Sequence, residues 1–343
     1  MKRIRVLMTG AGAPGGPGII KCLQADKRID LTVCDANASA SGRFLNKEFF
    51  QCPPASDSGF SEFMLQKSRD LEVDVLFPLV TRELFLFAER KNEFAATGTK
   101  VIVSDKDALN TANNKSRLHQ HLKSSGIMVP EFYVANTLEE LENAFSSLGY
   151  PQKKVCIKPS VSNGSRGVRI IDPMAKEFDL LFNEKPNSLY MLKDDLFRIL
   201  KGHKFPELLV SEVLPGEEFT IDTLMYQGKS LLIVPRSRTK MNAGISVAGE
   251  IVKQEEIIAY VQQMSATLPL HGPIGFQVKK ADDGKFKLLE INPRIQGTSV
   301  SLMGAGVNLP LLAVLQEAGE EVQIPEVKWG TKFVRFYNEV YYR

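Results

Sequence analysis

Short apolar runs rich in branched side chains recur through the first third of the chain, at residues 4–9, 31–34, 73–78 and 101–104. Their length and composition predict buried strands. Helical stretches lie between them, for example residues 18–25 and 60–71. Strand and helix in alternation predict a parallel sheet with helices on both faces. The polar run Asn110-Thr111-Ala112-Asn113-Asn114 then marks a boundary, ahead of a helix that ends at Gly126. Beyond Pro130 the pattern becomes mixed. Strands are predicted at 153–159, 167–172, 208–211, 218–226, 230–235, 274–280 and 285–292, and helices at 255–268 and 309–318. A charged, helical insert over 174–204 carries no recognisable motif.

The length of 343 residues exceeds one ordinary core and predicts two or three packed units. A net charge of +3 is close to neutral for this size, so neither a nucleic-acid nor a membrane partner is expected. No apolar stretch approaches the ~20 residues that span a bilayer. The opening residues lack the long apolar core of a secretion signal, so a cytoplasmic location is the expectation. Cys22, Cys34, Cys52 and Cys156 are scattered without paired spacing, which predicts neither a disulfide framework nor a zinc site. His119 and His121 stand two apart in a helix and point in different directions, which argues against a metal pair.

The run Gly10-Ala-Gly12-Ala-Pro14-Gly15-Gly16-Pro17-Gly18 follows a strand and opens a helix. Gly10, Gly12 and Gly15 satisfy the dinucleotide fingerprint, and Asp35 ends the next strand, where a ribose-binding acid would sit. Pro14 and Pro17 are unusual inside that turn. Three readings therefore stand: an NAD site, a substrate-contacting loop through Gly12 and Gly15, or a structural turn.

Near the carboxyl end, Asp283-Gly284 between strand-like runs predicts a two-residue hairpin turn. Counting outward places Gln277 opposite Glu290. Asn292 falls on the same face as Glu290, while Phe276, Val278, Leu289 and Ile291 form the other face. Oxygen donors of this kind suit Mg²⁺, although a solvated polar face fits the same alternation. Arg294 follows at once, placed to bind phosphoryl oxygens in a fork.

Glu290-Ile-Asn-Pro-Arg294, with Gln277 on the partner strand, resembles the metal- and phosphate-binding strand of ATP-grasp enzymes, and most of all the large chain of carbamoyl phosphate synthetase. The resemblance implies that Gln277, Glu290 and Asn292 hold two Mg²⁺ ions, with Mn²⁺ as a substitute, and that Arg294 contacts the transferred phosphate. It implies an ATP cradle upstream in a fixed order. Lys115 corresponds to the first nucleotide lysine and Lys158 to the second. The loop Ser162-Asn163-Gly164-Ser165-Arg166-Gly167 resembles the family's lid, with Ser162, Gly164, Ser165 and Gly167 on the phosphates. The linker Glu212-Val213-Leu214 would lie beside adenine, in a register uncertain by one residue, and Glu218 would bind ribose. Arg236 and Arg238 enter a polar loop that suits a carboxylate or acyl-phosphate, or a solvated turn.

The expected fold is a Rossmann-like parallel-sheet domain over 1–111 followed by an ATP-grasp domain over 112–343. The grasp comprises a lid subdomain over about 130–211 and a metal- and phosphate-binding subdomain over 212–343. The expected activity is ATP-dependent ligation, in which a carboxylate becomes an acyl phosphate and then joins an amine. Its partners would be small-molecule carboxylate and amine substrates, and a homo-oligomer is compatible with all of this. Carbamoyl phosphate synthetase has two grasp halves where this chain has one, so complete carbamoyl phosphate synthesis is not expected. The rival readings are a noncatalytic ATP sensor and, further off, an NAD-dependent oxidoreductase.

Overall fold

A computed structural model describes residues 3–162, 164–185, 188–242 and 244–342. The chain divides into two compact units. One comprises Met1–Asn110, Glu218–Gln277 and Ile291–Arg343, and the other comprises Thr111–Glu217 and Val278–Glu290.

The first unit opens with a parallel sheet in the order Glu48–Gln51, Ile29–Asp35, Ile4–Met8, Val75–Phe77, Lys100–Val101. Strand Ile4–Met8 is central, and all its residues but Arg5 are buried. That is the signature of a strand covered on both faces, and it explains the uninterrupted apolar run in the sequence. Ile19, Ile20 and Leu23 of helix Gly16–Gln24 pack on one face. Phe60, Met64, Phe87 and Phe94 form a separate core with Leu7, Leu76 and Val101. The sequence pattern missed the edge strand Glu48–Gln51, whose phenylalanines are only half-buried.

The later stretches of this unit add an antiparallel pair, Glu218–Tyr226 with Lys229–Ser237, in which Thr220 faces Arg236 and Asp222 faces Val234. Lys240–Asn242, Ile245–Glu250 and Lys332–Val334 form a small antiparallel sheet. Helix Leu309–Ala318 begins at an Asn308 side-chain cap and ends at left-handed Gly319. Among the described residues, no single helix is long and apolar enough to cross a membrane.

The second unit is built on a sheet in the order Phe132–Ala135, Leu208–Glu212, Val155–Pro159, Arg169–Ile171, Tyr190–Met191. Helix Leu138–Ser147 is started by a capping box between Thr137 and Glu140 and buries Leu141, Ala144 and Phe145 in this unit's core. The charged insert is more than helix. Besides Glu177–Phe182 and Lys193–Leu200, it supplies the edge strand Tyr190–Met191, which runs parallel to Arg169–Ile171. Two residues are too few to register as a strand by periodicity.

The hairpin turn departs from the expected one. The amide of Gly284 donates to Ala281 O at 3.0 Å, the amide of Ala281 donates to Lys285 O at 2.8 Å, and Gly284 has φ +80°. The loop therefore holds three residues, Asp282-Asp283-Gly284, with glycine in the left-handed position that closes a type I turn. The Asp283 carboxylate caps the Lys285 amide at 2.9 Å, and this local bond favours the longer loop over the two-residue turn. Burial along Phe286–Asn292 then changes phase: Phe286, Leu288 and Ile291 are buried, whereas Leu289 is half-buried. Leu288, not Leu289, is the core residue.

Candidate active site

In the second unit, helix Lys115–Ser124 starts at Asn114, whose side chain accepts from the Arg117 amide. The Lys115 amide donates to Ser160 O at 2.7 Å, and the Ser116 and Ser160 hydroxyls lie 2.5 Å apart. The helix start is thereby tied to the chain that leads into the predicted lid. The Lys115 ammonium, almost wholly buried, donates to Ser162 O at 2.9 Å and lies 3.5 Å from Glu290 Oε2. Burial holds this ammonium below its ordinary pKa; Glu290 opposes that shift, and the charge of Lys158 adds to it. Lys115, Lys158 and Glu290, singled out from different parts of the sequence, thus form one electrostatic group.

The predicted lid starts from this anchor. Gly164, Ser165 and Gly167 all have positive φ, at +65°, +58° and +75°, and all are exposed. Gly167 is required twice over, because a Cβ there would stand 2.6 Å from Pro159 Cγ. Asn163 lies outside the described residues. In the linker, Glu212 Oε1 accepts from the Glu131 amide at 2.8 Å and from Lys287 Nζ at 2.7 Å. The Glu212 side chain is therefore held in place, Leu214 is buried and Val213 half-buried. Lys287 went unremarked in the sequence, although a lysine within a strand is costly to bury without a partner.

In the first unit, Glu218 begins its strand and its carboxylate is engaged by Arg238. Arg238 also donates to Ser246 Oγ at 3.1 Å and to Gly244 O. Arg236 does not enter a loop, contrary to the sequence reading. It sits inside strand Lys229–Ser237, fully buried, with Nε donating to Asp222 Oδ2 at 2.6 Å. Ser299 Oγ donates to the other oxygen of Asp222 at 2.5 Å. The signal for this pair was Asp222 within Phe219-Thr-Ile-Asp-Thr-Leu-Met, an acid in a strand otherwise destined for the core.

Arg294 donates from Nε to Thr81 Oγ1 at 2.9 Å and from Nη1 to Ile295 O at 2.9 Å. Thr81 opens the helix after strand Val75–Phe77, at the carboxyl end of the parallel sheet, where folds of this type present ligands. Gln277 and Asn292 are both half-buried. Gln277 and Asn292, in the first unit, carry amide oxygens, and Glu290, in the second, carries a carboxylate. These hard donors match Mg²⁺, which takes few protein oxygens alongside phosphate and water.

The glycine loop is held by hydrogen bonds within its own chain. The Gly12 amide donates to Asp35 Oδ2 at 2.7 Å and the Asn37 amide to Asp35 Oδ1 at 2.8 Å. The acid expected to read a ribose is bonded through both oxygens to its own chain. Gly15 lies against Gly297, with room for no side chain.

Residues 204–337 match the family model described as ATP-grasp in the biosynthetic pathway with Ter operon. Residues 6–102 match the PylC-like N-terminal domain. The carbamoyl phosphate synthase large chain of Pseudothermotoga lettingae is 25% identical over 217 residues, covering 63% of this chain and 19% of that protein. The large chain of Methanothrix thermoacetophila is 26% identical over 236 residues, covering 65% and 20%. The chain thus spans about a fifth of the length of these curated relatives. Among solved structures, an ADP complex of PurK, an N5-carboxyaminoimidazole ribonucleotide synthetase, has a TM-score of 0.72 at 13% identity, covering 97% of this chain and 81% of that one. An L-amino acid ligase from Bacillus licheniformis has a TM-score of 0.65 at 17% identity, covering 93% and 75%. At these identities the shared property is the fold. The chain carries a PylC-like N-terminal domain and an ATP-grasp domain, and it is homologous to the carbamoyl phosphate synthase large chain.

Proposed function

We propose that the protein is an ATP-dependent ligase that phosphorylates a carboxylate and joins the acyl phosphate to an amine or similar nucleophile. The observation that carries this reading is the run Glu290-Ile-Asn-Pro-Arg294, inside the stretch that matches the ATP-grasp model.

In the first step a carboxylate oxygen attacks the γ-phosphorus of ATP, the bond to the β-phosphate oxygen breaks, and ADP leaves. In the second step the amine attacks the acyl carbon, the carbon–oxygen bond to phosphate breaks, and the nitrogen gives up a proton. Lys115 and Lys158 neutralise the triphosphate, and backbone amides of Ser162, Gly164, Ser165 and Gly167 close over it. The linker Glu212-Val213-Leu214 offers backbone groups to adenine, and Glu218 accepts from the ribose. Arg294, steadied by Thr81, bears on the phosphoryl oxygens as charge builds. Gln277, Glu290 and Asn292 would hold one or two Mg²⁺ ions, whose contribution is neutralisation of phosphate charge. No residue is assigned as general base; positioning and charge compensation account for rate in this chemistry.

The test is ADP release from Mg-ATP across a panel of carboxylates paired with amino-acid amines, alongside calorimetric binding of Mg-ATP. A pair that releases ADP in step with product supports the ligase. Tight Mg-ATP binding with no ADP release from any pair would leave a nucleotide-binding protein without ligase chemistry.

A further inference from the structure

The fully buried guanidinium of Arg236 is only half satisfied. Its Nε bonds to Asp222, but Nη1 and Nη2 have no hydrogen-bond partner. Leaving two charge-bearing donors unmet in the interior costs several times an ordinary lost hydrogen bond. Asp222 does not meet them: its Oδ2 accepts from Nε and its Oδ1 from Ser299. The Phe333 ring centroid lies 5.9 Å from the guanidinium carbon, so an aromatic face lies beside the fork.

A second cation stands close by. Arg335 is half-buried, its amide donates to Val247 O at 2.7 Å, and its Nη2 donates to Pro14 O at 3.2 Å. Burial lowers its pKa, Tyr337 opposes that shift, and the charge of Arg236 adds to it. Asp222 engages Arg236, whereas the Arg335 side chain bonds to a backbone carbonyl and has no carboxylate against it among the described residues. Arg238 does not add to the excess, because Glu218 engages it.

We propose that Arg236 and Arg335 form a binding site for an oxyanion, a carboxylate or phosphate group carried by one of the two ligase substrates and not itself transformed. The unmet Nη1 and Nη2 offer two parallel N–H donors on one planar fork, the arrangement that grips a carboxylate or phosphate through two oxygens. The bound group does not react, because an oxygen gripped so tightly in the ground state would lose nucleophilicity. Assignment to a ligase substrate rests on the proposed function; the anion site does not. The substrate class that follows is an amine or carboxylate with a second, fixed anionic group.

Thermal unfolding of the full chain without nucleotide tests the site. Inorganic phosphate and acetate serve as probes, each against chloride at equal ionic strength. Arg236→Lys keeps a cation for Asp222 while removing the fork, and Arg335→Gln removes the second charge from a half-buried position. Lys158→Ala controls for phosphate held by the nucleotide residues. Phosphate or acetate at ten times its Kd is expected to raise the wild-type Tm by roughly 2 °C. The rise should survive Lys158→Ala and disappear in Arg335→Gln and Arg236→Lys. Phosphate alone acting assigns a phosphorylated substrate, acetate alone a second carboxylate, and both an unselective oxyanion fork. No rise with either probe, or a rise that Arg335→Gln and Arg236→Lys leave unchanged, overturns the site. Because ATP turnover is not measured, failure here is distinct from failure of the ligase reading.

Discussion

Gly15 and Gly297 meet backbone to backbone. A Cβ built on Gly15 would stand 2.5 Å from the Gly297 Cα and 3.2 Å from its carbonyl oxygen. Backbone atoms cannot swing aside as a flexible side chain would, so Gly15→Ala must move a segment of chain. The expected cost is about 1–3 kcal/mol, read as a lower urea midpoint at unchanged slope. An unaltered midpoint would show that the two segments have slack.

His119 links stability to acid. Its ring is buried, Nδ1 lies 2.7 Å from Lys115 O, and burial lowers its pKa to about 4. The unfolded chain takes up this proton near pH 6.5 while the folded chain resists it until about pH 4. Stability should therefore fall as pH drops from 6.5 to 4, by about 3 kcal/mol from this group. His119→Gln, matched to wild type at pH 8, should flatten that slope in urea titrations. A slope as steep as wild type would place the titration elsewhere.

Glu83 acts with the opposite sign. Burial raises its carboxyl to about 7 despite a hydrogen bond from Thr9, and the Asp35 charge adds to the rise. The unfolded group ionises near pH 4.5, so stability should decline as pH climbs from 4.5 to 7 and level off above. Glu83→Gln keeps the size and a hydrogen-bonding oxygen without the ionisation. It should be more stable than wild type at pH 8 and no more stable at pH 4. Equal stability at both values would contradict the buried, protonated acid.

Glu290→Gln separates chemistry from folding. The variant keeps an oxygen donor but loses the charge that faces Lys115 at 3.5 Å. Turnover in an established ligase assay should fall by at least ~10²-fold, with a higher Mg²⁺ concentration at half-maximal rate and an unchanged circular dichroism spectrum. Undiminished turnover would remove Glu290 from the metal set.

Arg294 and Thr81 provide a graded test. Arg294→Ala should lower kcat by roughly 10²–10³-fold. Thr81→Val deletes only the oxygen that steadies Nε and should lower kcat several-fold with little change in KM for ATP. Equal losses in the two variants would make Thr81 more than a support.

The parallel sheet was legible because strands buried on both faces are written as continuous apolar runs, as Ile4–Met8 is. The edge strands Glu48–Gln51 and Tyr190–Met191 were not, since one is half-wet and the other is two residues long. The hairpin is legible, but its loop is one residue longer than a dipeptide rule gives, because the Asp283 cap on Lys285 is a side-chain bond that such a rule does not weigh. Lys115 and Glu290 are 175 positions apart in sequence and lie 3.5 Å apart in the fold; only the family resemblance put both in one reading. Asp222 and Arg335 belong to no motif. Their meaning comes from Arg236, whose unmet donors are a property of packing and not of spacing.

The division of the chain into units has a consequence for synthesis. The first unit draws on three separated stretches, Met1–Asn110, Glu218–Gln277 and Ile291–Arg343, whereas the second takes most of its residues from the single stretch Thr111–Glu217. Emerging from a ribosome at roughly 5–20 residues per second, the amino-terminal sheet waits tens of seconds for the strands and helix that cover it. The second unit can assemble most of its sheet in that interval. The apolar surface of helix Gly16–Gln24 ends up against Leu309–Ala318, so it stays uncovered until that late helix has emerged.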